Sequence, residues 1–92
     1  MSKHARRKLE ERMLSLDVVR NVVANPKFVF YDLLSRAFVA VSEVGVESVR
    51  ISLVVVYVRK DNVIRVVTVY PCRRIDREID RKVGVGRWVR VK

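Results

Sequence analysis

The sequence predicts an α+β domain, two N-terminal helices packed on a mainly antiparallel sheet of four to five strands. Residues 3–14 hold no glycine, proline or β-branched residue and are dominated by strong helix formers. Beyond Pro26, short runs rich in valine and aromatic residues recur between polar turns, the pattern of strands. A chain of 92 residues supports one core and a single domain over residues 1–92.

In the first expected helix, Ala5, Leu9, Met13 and Leu16 form an apolar stripe at helical spacing. Ser15 is placed to cap a second helix, with Asp17 in its first turn and Val18, Val19, Val22 and Val23 on its buried side. Asn25-Pro26 ends it, because the residue before proline avoids the helical region. Strands are expected over residues 27–31 and 36–41, with a turn around Asp32–Ser35 and a break at Gly45. Residues 49–59 and 63–70 are the strongest strands, joined by the compact link Lys60-Asp61-Asn62. Val49, Ile51, Leu53, Val55 and Tyr57 share one face of the first, while the other carries Arg50 and Ser52 and then turns apolar at Val54, Val56 and Val58. Apolarity on both faces marks a strand covered on both sides, here by the helices and by a partner molecule. Pro71 is expected to end the sheet. The charge-dense stretch 73–82 reads as a helical or irregular connector, with Ile75 and Ile79 one turn apart, and residues 83–91 as a last strand.

The formal net charge is +10. Residues 1–47 carry 8 basic and 6 acidic side chains, +2, and residues 48–92 carry 12 and 4, +8. Such an imbalance points to a polyanionic partner, RNA or DNA, or an acidic protein that masks the basic surface. The competing reading is that arginine keeps a valine-rich domain soluble. Cys72 is the only cysteine, so no internal disulfide forms and a reducing, cytoplasmic compartment is expected. No apolar run is long enough for a membrane span, and no secretion signal is read at the N-terminus. A low content of amide side chains suggests a thermophilic source. The chain has no HExxH, CxxC or glycine-rich phosphate loop, so neither a metal nor another cofactor is expected.

His4, Lys8 and Arg12 follow one another at four-residue spacing, which places them on one face of a helix. Metal-free RNA cleavage needs a proton carrier and cations on the phosphate. His4 alone titrates near neutrality and fits the first role; Lys8 and Arg12 fit the second. The same trio would serve simply to hold a phosphate backbone, or form a solvated helix face. Further along, Arg59, Lys60 and Arg65 gather at the hairpin, and Arg73, Arg74, Arg77, Arg87 and Arg90 crowd the C-terminal region. With Tyr70 interleaved, they suit a nucleic-acid track of cations and stacking rings. A salt-bridged surface segment is the alternative for 73–82, and Trp88 reads as a packing anchor.

Two motifs carry a resemblance that covers residues 4–71. The run from His4 to Met13 resembles the signature of a family of small toxin-like domains of unknown function, His-Ala-x-x-Arg-x-x-x-Arg, with Lys8 standing at the first arginine. Asp17-Val18 and Asn25-Pro26 follow at the family's places, and Thr68 with Pro71 is similar to its closing Thr-x-x-Pro. The resemblance implies kinship with the RelE and BrnT toxins, a RelE/BrnT-like fold, and endoribonuclease activity restrained by an acidic antitoxin. The leading expectation is thus a basic nucleic-acid-interacting protein, a metal-independent RNA-cleaving toxin. A non-catalytic DNA- or RNA-binding module and a dimeric protein-interaction module are the alternatives. A homodimer is expected from the two-sided sheet, with residues 83–91 crossing to the partner or lying near it.

Overall fold

The computed structural model describes residues 16–46 and 49–92. Helix α1 (Leu16–Ala24) leads into β1 (Phe28–Asp32), β2 (Ala37–Val46), β3 (Val49–Lys60) and β4 (Val63–Cys72). Helix α2 (Ile75–Gly84) and the short β5 (Trp88–Arg90) follow. The strands form one antiparallel sheet in the order β4-β3-β2-β1-β5. Four strands are laid down as successive hairpins, and α2 then carries the chain back across the sheet to β1.

This layout corrects the expected pair of N-terminal helices on a RelE/BrnT-like sheet. One described helix precedes the sheet and the other follows β4, and they cover opposite faces. The helix expected over residues 3–14 lies outside the described residues. On the first face, Val19 and Val22 of α1 pack on Ala40, Val44, Leu53, Val55, Tyr57, Val66 and Val69. On the second, Ile75 and Ile79 of α2 pack on a cluster of Phe30, Val39, Val41, Val54 and Trp88. The chain's own C-terminal helix therefore packs on the apolar second face of the sheet, in one cluster with Val54 and Val56 of β3. The ionic residues of 73–82 obscure a narrow apolar stripe at i, i+4.

Smaller departures have local causes. Pro71 lies inside β4, opposite Leu53. An edge strand tolerates proline because one side of its backbone makes no ladder bonds. Gly45 does not break β2, which runs on to Val46 with Gly45 opposite Arg50. Asp61 and Asn62, at φ 52° and 65°, make the two-residue turn between β3 and β4. The β3–β4 register slips between Val56 and Tyr57, leaving Val67 as an extra, bulged residue. The expected last strand shrinks to Trp88–Arg90, because Val83 and Gly84 belong to α2 and Gly86, at φ 75°, turns the chain. That strand pairs with β1 of the same chain, and the Val29 N–H donates to the Lys92 carbonyl at 3.0 Å just beyond it. Among the described residues no helix is long and apolar enough to cross a membrane.

Candidate nucleic-acid interface

The cations read from the sequence fall into separate places. His4, Lys8 and Arg12 lie outside the described residues. Arg59, Lys60 and Arg65 flank the β3–β4 turn. Arg73 and Arg74 follow the far end of β4, and Arg77 stands in the first turns of α2. Arg65 and Arg73 stand eight positions apart along extended chain, about 26 Å. The sequence suggests one track; the strand between holds its two halves at opposite ends of the sheet.

Around the start of α2 a site takes shape. Arg50, Ser52, Arg73 and Ile75 border a recess of about 590 Å³ together with Glu43. Arg73 and Ile75 also line an adjoining hollow of about 470 Å³ with Arg74, Asp76 and Arg77. Four guanidinium-bearing residues thus border two neighbouring recesses that share Arg73 and Ile75, together the arginine depression. Glu43 holds Arg50 with Nε to Oε2 at 3.5 Å, and Lys27 approaches the same carboxylate at 3.9 Å. Arg73, Arg74 and Arg77 make no ion pair among the described residues. Arg74 is the N-cap of α2 and no side chain caps the helix there. Its first amide N–H groups and the positive end of its dipole add to the field of the arginines. Asp76 offsets part of it. Arg50 escaped the sequence reading, although its place beside Ser52 on the polar start of the second face was the available signal.

At the hairpin end Arg59 shares the rim of a groove with Arg20. Leu16, Val19, Val23 and Ile64 form its apolar walls, and its volume is about 590 Å³. Arg59, Lys60 and Arg65 make no ion pair among the described residues.

Other sequence-singled residues have packing duties. Arg87 lies against the buried Asp32, Nε to Oδ2 at 3.2 Å, and the Trp88 indole N–H donates to the same oxygen at 3.3 Å. Burial alone would raise the Asp32 carboxyl; the Ser35 and Leu34 amides, the Trp88 indole and the Arg87 charge outweigh it and hold the pKa below the ordinary carboxylate range. Trp88 is 3% exposed and stacks on Phe30 with ring centroids 5.3 Å apart, the packing anchor expected. Tyr70 is half-buried on the second face, and burial, helped by the Glu78 charge, pushes its hydroxyl up to about 12. It is a neutral donor at ordinary pH. Arg90 places its guanidinium carbon 5.2 Å from the centre of the Phe28 ring. Cys72 is a free thiol, and no cluster of residues suited to a metal ion occurs among the described residues.

Residues 1–71 match the profile of a family described as a domain of unknown function, DUF4258. The chain belongs to this family. The DUF4258 match takes in α1, β1 to β3 and all of β4 but Cys72. The two C-terminal elements, α2 and β5, and with them Arg73, Arg74 and Arg77, lie beyond it. No curated protein and no solved structure matches the chain.

Proposed function

We propose that this DUF4258 protein binds nucleic acid, with the arginines around the start of α2 holding successive phosphates. The observation that carries the reading is the gathering of Arg50, Arg73, Arg74 and Arg77 around two recesses that share Arg73, beside uncapped helix amides. Three of these cations have no carboxylate partner among the described residues. A phosphate oxygen satisfies both the guanidinium fork and the backbone N–H groups. Titration of labelled single-stranded RNA and duplex DNA at two salt concentrations tests it. Affinity that falls steeply with salt supports the reading, and absence of binding at low salt refutes it.

The more specific reading is a metal-independent RNA-cleaving toxin, kin to RelE and BrnT and restrained by an acidic antitoxin in the cytoplasm. Its support is the motif around His4, Lys8 and Arg12, in which a titratable imidazole precedes two cations at helical spacing. His4 is the proton carrier in this scheme, Lys8 contacts the same phosphate, and Arg12 serves the next, about 12 Å from His4 along a helix axis. Binding without cleavage, alone or with ribosomes, would leave a non-catalytic binding module.

A further inference from the structure

On the second face, α2 and the β1–β5 edge border an open recess of about 460 Å³, distinct from the arginine depression. Its aromatic lining is Phe28 and Phe30, its helical wall carries Asp76, Ile79 and Asp80, and Arg90 also borders it. Asp76 and Asp80 are four residues apart and so project from one side of α2. Neither carboxylate makes an ion pair among the described residues. Asp76 borders both this recess and the arginine hollow, so only the first turn of α2 separates them.

An aromatic lining beside free carboxylates takes a flat group with a π face and N–H donors along its edge. The chain's own Arg90 indicates the fit, with its planar guanidinium 5.2 Å from the Phe28 ring centre. Guanine presents the same pattern, because its N1–H and N2–H donors stand side by side and meet both oxygens of one carboxylate. Adenine and cytosine set an amino group beside a ring acceptor that a carboxylate repels, and uracil sets its single N–H between two carbonyls.

We propose that this recess binds guanine in a single-stranded nucleic acid. The inference rests on the nucleic-acid reading above and specifies the base that is read. The base stacks on Phe28 in place of Arg90, one carboxylate of the α2 wall accepts N1–H and N2–H, and the displaced guanidinium meets a phosphate. Neighbouring phosphates then continue around the start of α2 to Arg73, Arg74 and Arg77.

The test compares U-rich RNA heptamers with and without one central guanosine, using the wild type and the exposed double variant Asp76→Asn/Asp80→Asn. The wild type is expected to prefer the guanosine-containing strand by about 10-fold or more, the discrimination of one bidentate base contact. The double variant should lose that preference while binding all-U RNA as well as before or better, since two negative charges are gone. Equal wild-type affinity for the two strands, or equal strengthening of both in the variant, overturns the proposal. That second outcome would mean the aspartates merely repel phosphate.

A second measurement separates this claim from the one beneath it. Titration with guanosine monophosphate should move the backbone amide resonances of Phe28, Ile79 and Asp80, while cytidine monophosphate should not. If these shifts appear but no heptamer binds, the pocket stands and the nucleic-acid reading falls. If the heptamers bind with steep salt dependence but neither nucleotide moves the resonances, the nucleic-acid reading stands and the pocket falls. Shifts induced by arginine amide but not by the guanine nucleotide also overturn it, and assign the recess to a cationic side chain of a protein.

Discussion

Arg87 and Asp32, 55 positions apart in the chain, meet through a guanidinium–carboxylate contact of 3.2 Å. Asp32 also accepts the backbone N–H groups of Leu34 at 2.9 Å and Ser35 at 3.2 Å, which form the turn into β2. One buried carboxylate therefore fixes the β1–β2 connection and the return of β5 together. Asp32→Ala leaves the Trp88 indole N–H and two turn amides without their acceptor. The loss is expected to be about 2–4 kcal/mol in urea unfolding. Amides of β5 should exchange with solvent before those of β3.

The same carboxylate sets an acid limb of stability. Its native pKa lies below the ordinary value, so the unfolded chain takes up this proton at a higher pH than the folded one does. The stabilisation is complete above the unfolded pKa and is lost as pH falls through the native one. Melting temperatures followed downward from pH 5 should fall for the wild type and fall less steeply for Asp32→Asn.

The second face carries its own prediction. Ile75→Asp together with Ile79→Asp places charge where α2 meets Val54, Val41 and Phe30. The helix should lift, the apolar face should bind a hydrophobic dye, and sedimentation should show association beyond that of the wild type. A double variant that remains as dye-silent and as small as the wild type would contradict the assigned role of α2.

For the arginine depression, changing Arg73, Arg74 and Arg77 together to glutamine should make the log–log salt slope of single-stranded RNA binding shallower by about 2. The paired change Arg59→Gln and Lys60→Gln, at the far end of the sheet, should alter it less. Equal effects would place the phosphates elsewhere.

Cleavage is checked at His4. If it carries the proton, His4→Ala should abolish RNA cleavage with affinity nearly unchanged, and wild-type activity should change with pH near the imidazole value of about 6.5. Arg12→Ala should weaken both binding and cleavage.

Much of the sheet was readable because β3 and β4 are runs rich in valine and other β-branched residues and a two-residue Asp-Asn turn joins them. The helix beginning near Leu16 was also readable, from its paired valines and the following Asn25-Pro26. The position of α2 was not, since Ile75 and Ile79 are the whole of its apolar signal within a run of charges. The Asp32–Arg87 contact is invisible to any local window because the fold alone brings its ends together. Pro71 misled because its effect depends on whether a strand is central or at an edge. At the candidate interface the individual arginines were legible, but their division between two ends of the sheet follows from the run of β4 between them. Arg50 joins Arg73 only because strand pairing sets Ser52 opposite Cys72, the residue just before Arg73.

The two outer strands of the sheet are unequal, ten residues in β4 and three in β5. Fibrous growth by stacking sheets edge to edge needs two long receptive borders on every copy, so that each newcomer offers a fresh template. Here a second copy could join through β4, but the border it then presented would be the three-residue one. Such an assembly ends at two, which gives a valine-rich chain a built-in stop against runaway polymerisation.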